Sequence, residues 1–556
     1  GGDYYINPED GKAQNKIAPL HYTDRYNKVT DIIGAITAQL DLWDGLKYKF
    51  SFSGNYSNSH NYTHTPEYYT KWNEDGTPDQ DYGSPKNSIS ESRGEEFTYT
   101  IDNLLTYNKT FSGHSIDALV GTSWMREYNR NMSLATINDL GGTEITGFSS
   151  VDGKISASDS NAALLSFFAR LNYDYKDRYL LSASIRRDES SKFYNHANSV
   201  PHQSPDFRYF PSVSAGWNAH QESWFANPVV SKLKIRASYG ELGANFLSPY
   251  NFDAIAYGPI PYTLGGVRYT SGRAAYLKSR ELKWETAKTT DIGLELGFLN
   301  NDLTVQVDYF VKKNVDLLAQ IDLNLSSGQI FEINSSREKP YVNSASVKNT
   351  GWEFLVNYRK QLTKDFSIDA TLNLSTLKNE VLSLGDNVQP ITSGAMSSSF
   401  SDSPSITKPG EAIGSFYGYK INGFDADGNF IFADTDNNGS VDANDKVILG
   451  NPIPDFSYGL NLTMSYKDFD LTMFFQGVQG NEIFNQKKYT YYFDYSNNCV
   501  TDVLNAWTKN NQNTNIPIMK TQNTDGGNSL PSEFYIEDGS YFRCKNLQLG
   551  YNFYFE

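Results

Sequence analysis

The sequence predicts an all-β protein, an antiparallel transmembrane β-barrel with long loops at one end and short turns at the other. Two observations carry this prediction: apolar and polar residues alternate with a period of two in many segments, and the links between those segments are alternately short and long. A period of two places successive side chains on opposite faces of a strand. Barrels that cross outer membranes combine such strands with short periplasmic turns and longer extracellular loops.

The alternation occurs in about fourteen segments, each near the ~10 residues that a tilted membrane-crossing strand needs. In one of the clearest segments, Leu303, Val305 and Val307 alternate with Thr304 and Gln306. Other segments with this pattern cover residues 46–52, 233–239, 292–298, 352–358, 366–374, 458–466, 469–475 and 547–553. Because no long window has the helical period and strands do not alternate with helices, a parallel α/β sheet is not expected.

Short and long links alternate along the chain, so that one end of the sheet has short turns and the other has long loops. A soluble β-sandwich is not expected to have this arrangement, because loops of mixed length occur at both of its ends. The short links are 44–45, 111–113, 176–178, 299–302, 360–364 and 467–468. The long links are 57–95, 127–161, 189–208, 241–284, 314–340, 381–414 and 477–540. Aromatic residues near strand ends, such as Tyr173, Tyr175, Tyr179 and Trp217, are expected to form girdles at the membrane surface. The general preference of aromatic residues for strands would also place them there.

The composition excludes several other classes of protein. The 556 residues include 48 basic and 64 acidic side chains, a net charge of −16, whereas a nucleic-acid-binding protein of this size should be basic. Only two cysteines are present, Cys499 and Cys544, too few for a disulfide framework or a four-thiolate zinc site. No apolar run approaches the ~18 residues of a membrane-spanning helix. The 39 Tyr, 33 Phe and 8 Trp residues argue against disorder, because rings need burial.

No catalytic signature accompanies this pattern. The sequence lacks the metalloprotease, nucleophile-elbow, P-loop and Cys-x-x-Cys motifs. Histidine pairs such as His60 and His64, or His196 and His202, lie in long links, where we expect solvated side chains and not metal ligands. We therefore expect no enzyme activity and no redox or nucleotide cofactor.

One segment, 434–445, follows the pattern of a calcium-binding loop. Oxygen-bearing residues fall at loop positions one, three, five, seven, nine and twelve: Asp434, Asp436, Asn438, Ser440 through its carbonyl, Asp442 and Asp445. Gly439 stands at position six, where the loop turns sharply. Asp445 stands at position twelve in place of the usual Glu, and its shorter side chain disfavours bidentate binding. A calcium ion here would pin an extracellular loop, and a metal-free Asp/Asn/Gly-rich turn is the alternative.

Aromatic residues are also concentrated in two long links. Tyr68, Tyr69 and Trp72 lie in the first of these links, and Tyr491 and Tyr492 lie in the last. Flat rings beside amide groups suit stacking on sugars or docking of a partner protein. Packing of one loop on another would use the same residues. These five positions are therefore candidate contacts with a substrate or a partner.

Eight segments follow one another along the chain: RYLLSASIRRDESSKF (178–193), FPSVSAGW (210–217), LKIRASYG (233–240), LKWETAKTTDIGL (282–294), KNTGWEF (348–354), ILGNPIPDF (448–456), FFQG (474–477) and DGSYFRCKNL (538–547). In this order they resemble the SusC-like TonB-dependent transporters of Bacteroidota. One departure is Glu189, where this family usually has Gly. Each segment alone is a weak signal, whereas the ordered set covers nearly all of 33–553.

The resemblance implies a plugged outer-membrane barrel of about 22 strands. On that reading residues 1–556 are a partial barrel domain, and the plug, the segment that contacts TonB, the first strands and the last strands would lie outside it. It also implies a SusD-like surface lipoprotein as partner, energy from the TonB complex, and outer-membrane lipid around the barrel. The expected function is active import of oligosaccharides or peptides.

Two other functions stay open at this point. A passive porin-type barrel has the same strand pattern but needs neither plug nor partner. A secreted carbohydrate-binding or carbohydrate-active β-protein would explain the aromatic residues in the loops and a calcium loop. It would not explain strands with a face suited to lipid and short turns at one end. A need for detergent separates this last hypothesis from both barrel hypotheses.

Overall fold

A computed structural model gives the structure of the protein. It describes residues 17–73, 75–80, 82–138, 154–193, 207–225, 227–249, 256–274, 282–320, 341–385, 388–394, 403–493, 499–520 and 527–553. Antiparallel strands dominate this part of the chain, which confirms the predicted all-β fold. None of the helices in the described ranges is both long and apolar enough to cross a membrane.

Within the described residues, fourteen strands lie in the N-terminal half of the chain. They are β1 (Asp24–Trp43), β2 (Leu46–Thr65), β3 (Tyr68–Tyr69), β4 (Gly83–Ser84), β5 (Asn87–Phe111), β6 (His114–Asn138), β7 (Lys154–Tyr175), β8 (Tyr179–Ser190), β9 (Phe207–Asn218), β10 (Val230–Ala244), β11 (Ala256–Leu264), β12 (Val267–Ala274), β13 (Glu285–Phe298) and β14 (Leu303–Gln320). One short helix, α1 (Ile17–Tyr22), precedes them.

The C-terminal half contains both long and very short strands. They are β15 (Tyr341–Gln361), β16 (Phe366–Thr376), β17 (Lys378–Ser383), β18 (Ile391–Ser393), β19 (Ser405–Thr407), β20 (Ser415–Gly418), β21 (Ile421–Phe424), β22 (Phe430–Phe432), β23 (Val447–Gly450), β24 (Phe456–Tyr466), β25 (Phe469–Gln479), β26 (Glu482–Phe484), β27 (Ile536–Asp538) and β28 (Tyr541–Tyr551). Short helical turns occupy Ser191–Phe193, Ala219–Gln221, Ala443–Asp445, Tyr489–Phe493, Thr501–Asn505 and Glu533–Tyr535.

One sixteen-stranded sheet forms the wall of the molecule. Its strands follow the order β1-β2-β5-β6-β7-β8-β9-β10-β13-β14-β15-β16-β24-β25-β28, and β17 pairs with β15 beside this path. Neighbours along the path are also neighbours in the sequence apart from the small loop strands, so every connection is a hairpin or a loop excursion. The edge strands β1 and β28 are exposed along almost their whole length.

Tight turns join the strands at one end of this sheet, as the sequence predicts. At the β1–β2 turn, Gly45 has φ +83°, a left-handed conformation that a side chain disfavours. A Cβ atom at Gly45 would lie 2.3 Å from the carbonyl oxygen of Asn108 on the adjacent strand. The close approach of the chain therefore requires glycine in this turn.

Several strands are much longer than the predicted ten or so residues, and the predicted lengths are wrong there. β5 and β6 have 25 residues each, and β1 and β2 have 20 each. The predicted long link 57–95 is consequently shortened, since β2 continues to Thr65 and β5 begins at Asn87. Beyond the membrane both faces of a strand meet water, so the polar outer parts lose the alternation that marks the buried parts.

The sheet has one apolar face and one polar face. The apolar face includes a row of directly opposed residues across six neighbouring strands: Leu181, Ala215, Ala237, Ile292, Tyr309 and Trp352. The row beside it on the polar face begins with Ser182, Ser214, Ser238 and Asp291. Large apolar residues of the first row, such as Ile292 and Trp352, are about half exposed, which suits contact with lipid.

Aromatic residues gather on the apolar face near the tight turns, as expected of a girdle. The rings of Tyr175 and Tyr179 stack across the β7–β8 turn, and the His114 ring lies against Tyr175. Glu222 accepts hydrogen bonds from the Tyr179 hydroxyl (2.6 Å) and from Nε1 of Trp217 (3.1 Å). Polar tips are thereby satisfied while the rings stay at the edge of the apolar band.

At the opposite end, two long connections fold against each other. Tyr535 of the 480–540 connection is fully buried and packs with Phe430 of the 384–455 connection and with Phe493. The backbone N–H of Phe430 donates to Oδ1 of Asn528, which ties the two connections together. We call this packed unit the loop subdomain, and it contains the segment 434–445.

Candidate functional site

The polar face carries a groove near the tight-turn end of the sheet. It has a volume of about 470 Å³, and small residues such as Ser182, Ser214 and Gly216 line its floor. Asp117 stands on one side of the groove and Arg236 on the other. Small residues leave space over the sheet, so the groove gives a ligand or another segment access to backbone and charged groups.

A cluster of charged residues extends from this groove across three strands. β10 contributes Lys232, Lys234 and Arg236, which face carboxylates of β13 and β14. The contacts join Arg236 to Asp291 (3.1 Å), Arg236 to Glu295 (3.5 Å), Lys234 to Glu295 (3.3 Å) and Lys232 to Glu295 (2.8 Å), and Arg236 also pairs with Asp308. We call these six residues the wall cluster. Its charges balance, three positive against three negative.

Gly293 allows Arg236 of β10 to reach across β13 to Asp308 of β14. It lies between Arg236 and Asp308 in the register of β10, β13 and β14. A Cβ atom at Gly293 would come within 2.2 Å of Oδ1 of Asp308 and 2.7 Å of Nε of Arg236. The guanidinium group therefore crosses over a residue without a side chain to reach a carboxylate two strands away.

The wall cluster fits binding better than catalysis. Charged groups within a membrane-spanning region are costly, so they face an aqueous interior and are functional candidates by default. No nucleophile with an adjacent base is among the six residues, and the balanced charges suit polar or zwitterionic groups. Sequence reasoning missed this cluster because its members spread over residues 232–308. The available signal was the set of charges at the non-apolar positions of three consecutive alternating strands.

Local hydrogen bonds organise the predicted calcium loop, 434–445, in the structure. Oδ2 of Asp434 accepts a hydrogen bond from the N–H of Gly439 (2.8 Å), and Oδ1 of Asp436 accepts from the N–H of Asn438 (3.0 Å). Asn437 and Gly439 both have positive φ, +58° and +89°. These local bonds turn the chain tightly around the carboxylates of loop positions one and three.

Asp445 closes this loop from the other end. Its carboxylate is fully buried and accepts backbone hydrogen bonds from Asp442 (2.8 Å), Thr435 (2.6 Å) and Asp436 (3.3 Å). These N–H donors, that of Asp442 first, hold the pKa of the Asp445 carboxyl below its ordinary value. The group is therefore kept in the charged form that a cation needs.

Three carboxylates of the loop converge. One oxygen from each of Asp434, Asp436 and Asp445 lies within 4.8 Å of the others. Oxygens on opposite sides of a calcium ion are about 5 Å apart, so this spacing fits. Asp442 lies outside the three-carboxylate cluster and caps the turn Ala443–Asp445 by accepting from the N–H of Asn444 (2.7 Å). Two further predicted ligands bond to each other, since Oδ1 of Asn438 accepts from the N–H of Ser440 (2.9 Å).

The five candidate aromatic contacts divide into packed and exposed rings. Tyr68 stacks on Tyr22, and Tyr69 donates its hydroxyl hydrogen to Glu67. Tyr492 packs in the core of the loop subdomain, and its burial and a hydrogen bond to Asp502 raise its pKa to about 12. The remaining rings are open to solvent: Trp72 is 46% exposed and Tyr491 is 39% exposed.

Taken together, a two-faced antiparallel wall with tight turns, an aromatic girdle and a charged polar face defines a membrane-spanning β-barrel domain of an outer-membrane receptor. The family described as "TonB dependent receptor-like, beta-barrel" matches residues 1–555, and the chain belongs to this family. The predicted outer-membrane location and the absence of an enzymatic role agree with this membership, since the relatives are receptors.

The relatives confirm the resemblance to SusC-like proteins. The chain is 32% identical over 475 residues to TonB-dependent receptor P3 of Formosa agariphila, covering 81% of this chain and 45% of that protein. It is 27% identical over 583 residues to TonB-dependent receptor SusC of Bacteroides thetaiotaomicron, covering 99% and 52%. The chain thus spans about half the length of these curated relatives.

The fold has a close counterpart among solved structures. The structure of the RagAB peptide transporter superposes with a TM-score of 0.79 at 20% identity, over 99% of this chain and 58% of that one. A second structure of the same importer, in an "open-open" state, gives the same TM-score. These likenesses establish the fold of the barrel wall.

Proposed function

We propose that the chain forms the wall of a TonB-dependent importer that takes up oligosaccharides or peptides together with a SusD-like surface lipoprotein. The observation that carries the proposal is that the sheet has two different faces. One face is apolar and suited to contact with lipid, and the other is charged and contains a groove. The sequence relative named SusC and the solved structure described as a peptide transporter support this class of activity. A passive porin-type barrel is the competing function.

Uptake by the full-length protein in its native host separates these two functions. Labelled oligosaccharides and labelled peptides are supplied to cells with and without a protonophore, and in a strain lacking TonB. An importer driven by TonB loses uptake in both treatments, whereas a passive barrel keeps it. The substrate that accumulates in untreated cells decides between oligosaccharide and peptide.

The exposed rings supply a test of substrate contact. Trp72→Ala and Tyr491→Ala remove rings that stand open to solvent at the loop end. Loss of a stacking ring is expected to weaken capture about tenfold, because stacking contributes roughly 0.5–1.5 kcal/mol beyond area burial. Tyr69→Phe is the matched control, since its hydroxyl only bonds to Glu67. Equal uptake by all three variants removes these rings from the site.

The loop subdomain is the proposed platform for the lipoprotein. Its buried Tyr535 and the bond between Phe430 and Asn528 hold two long connections as one folded unit at the loop end of the sheet. The partner is expected to co-purify with the full-length protein in mild detergent. Tyr535→Ala, which removes the centre of that unit, is expected to release the partner while the barrel stays inserted.

We also propose that Asp434, Asp436 and Asp445 hold a structural calcium ion that pins this subdomain. The support is the convergence of three carboxylates within 4.8 Å and the burial of Asp445. Calcium binding to the full-length protein is measured by calorimetry after chelation. Asp436→Asn is expected to weaken binding at least tenfold, whereas Asp427→Asn, an equal charge change on the neighbouring β21–β22 turn, leaves it unchanged. Equal binding by both variants refutes the assignment.

A further inference from the structure

Three lysines lie side by side on adjacent strands of the wall. Lys288 of β13 is directly opposite Lys313 of β14, and Lys313 is directly opposite Lys348 of β15. Neighbouring strands are about 4.8 Å apart, so the row spans roughly 10 Å. We call these residues the lysine row. Like charges placed directly opposite each other destabilise a sheet, so this arrangement needs a reason.

The lysine row is on the apolar face of the sheet. In the register, Lys313 is four residues beyond Tyr309, and Lys348 is four residues before Trp352, so each lysine shares a face with its aromatic partner. No register shift interrupts the pairing of β14 with β15 between these positions. The Tyr309 and Trp352 rings contact each other, with centroids 4.8 Å apart. The row therefore continues the lipid-facing surface toward the long loops.

The height of the row matches the outer boundary of the membrane. Leu303 and Tyr358 are opposed at the tight-turn end, and the lysines of the same strands, Lys313 and Lys348, are ten residues further along. Ten residues at ~3.3 Å each, tilted by about 40°, rise roughly 25 Å. That is about the height of the apolar band of an outer-membrane barrel. The ammonium groups thus reach the level of the lipid headgroups of the outer leaflet.

Carboxylates flank the row on both sides, Glu241 opposite Lys288 and Glu380 opposite Lys348, but only one lysine of the row makes an ion pair within the described residues. Lys288 pairs with Glu241 at 3.4 Å. Among the residues that the structure describes, no carboxylate makes an ion pair with Lys313 or Lys348, although Glu380 is opposite Lys348 in the register. Lys313 is exposed and Lys348 is half-buried. The row therefore offers two ammonium groups that make no ion pair, and the five residues from Glu241 to Glu380 carry three positive charges against two negative ones.

A cavity of about 620 Å³ opens next to the row, where β17 leaves β16. Its lining includes the rings of Tyr309 and Trp352, the exposed Lys378, and the carboxylates of Glu411 and Asp455. Lys378 is opposite Thr350, one row closer to the membrane than the lysine row. Rings below and ammonium groups above suit an amphiphile with an acyl chain and an anionic head.

We propose that the lysine row binds the phosphate group of a phosphorylated lipid in the outer leaflet, with its acyl chains against Tyr309 and Trp352. The proposal goes beyond import, since it concerns how the wall is held in its membrane. An acidic surface of a partner protein is a less suitable occupant, because the row faces the lipid side at headgroup height. The phosphate relieves the repulsion between Lys313 and Lys348, so lipid binding also stabilises β14 against β15.

The test compares lipid retention by variants of the full-length protein. The protein is purified in mild detergent, delipidated, and exposed to phosphatidylcholine vesicles with or without monophosphoryl lipid A, and retained lipid is counted by native mass spectrometry. Each lysine near an anionic surface contributes roughly a fivefold factor, so Lys313→Gln/Lys348→Gln should bind the phosphorylated lipid about 30-fold more weakly. Lys313→Arg/Lys348→Arg should retain it, because arginine also binds phosphate.

Lys312→Gln is the matched control, since Lys312 is exposed, adjacent in sequence and on the opposite face of β14. Retention by this control and loss by the glutamine pair supports the proposal. Equal retention by both overturns it, as does equal loss by both. If millimolar inorganic phosphate alone displaces the bound lipid, the ligand is free phosphate and not a membrane lipid. If the glutamine pair loses a co-purifying protein but keeps the lipid, the lysine row binds a partner protein instead.

Discussion

Removing the guanidinium group of Arg236 tests whether the wall cluster stabilises the sheet as well as lining it. Arg236→Ala deletes contacts with Asp291, Glu295 and Asp308 at once. Asp308 is the critical partner, because its side chain is only 9% exposed and Arg236 is its sole ion-pair partner among the described residues. The substitution therefore leaves a nearly buried carboxylate without a counter-charge.

The size of the effect follows from the exposure of the two groups. Removing one partner of a fully buried pair costs about 3–5 kcal/mol. The Arg236 side chain is 30% exposed, so water screens part of that loss, and we expect about 2–3 kcal/mol. Lys234→Ala removes a contact with Glu295, which keeps Lys232 at 2.8 Å, and should cost no more than about 1 kcal/mol.

The assay is urea unfolding of the full-length protein in detergent, followed by loss of β-sheet circular dichroism. A double-mutant cycle with Asp308→Ala should give a coupling of about 1.5–3 kcal/mol, because the two residues share one network. Gly293→Ala should disrupt the same ion pair, because its methyl group would occupy the space between Arg236 and Asp308. A coupling below about 0.5 kcal/mol, or an equal cost for Arg236→Ala and Lys234→Ala, refutes the reasoning.

Three further outcomes follow from the turns and loops. Gly45→Ala should destabilise the sheet by about 1–3 kcal/mol in urea, because φ is +83° and its Cβ meets a carbonyl at 2.3 Å, whereas Gly34→Ala, with nothing within 4 Å, should not. The pKa of the Asp445 carboxyl is lower in the folded loop than in the unfolded chain. Its hydrogen bonds therefore stabilise the loop fully at pH values above the pKa of the unfolded chain, and that stabilisation is lost as the pH falls through the pKa of the folded state. Amide hydrogen exchange at Asp442, corrected for its intrinsic rate, should then accelerate on acidification; a pH-independent corrected rate contradicts this. Tyr535→Ala should expose the 480–540 connection to protease, at a cost of about 3–5 kcal/mol.

The membrane-crossing part of the fold could be predicted from the sequence because lipid and water impose opposite demands on the two faces. Leu303 to Tyr309 alternates for that reason, and the links 299–302 and 467–468 are found at the predicted positions. The outer parts of the strands could not be predicted so well. Between Ser57 and Thr65 every residue of β2 except Tyr62 is polar, whichever face it is on, so no apolar–polar alternation marks this part of the strand.

Whether a candidate functional residue could be predicted depends on whether its partners are close to it in the sequence. The convergence of Asp434 and Asp445 could be predicted because both belong to one short loop, whereas calcium binding there stays a proposal. The wall cluster could not, because Arg236 and Asp308 are joined only by the register of three strands. That register depends on the whole sheet, which sequence spacing alone does not specify.

The unequal strand lengths have a consequence for how the loop end works. β5 has 25 residues and, at ~3.3 Å per residue and about 40° of tilt, rises roughly 60 Å, whereas the 11-residue β24 rises roughly 30 Å and ends near the membrane surface. The wall is therefore tall over β1–β7 and low over β16–β28, and the loop subdomain grows from the low side. Because Tyr535 and Phe430 give that subdomain its own core, it can hold its shape without support from the tall strands. The proposed lipoprotein partner, approaching the loop end, would thus meet the tall strands on one side and the loop subdomain on the other.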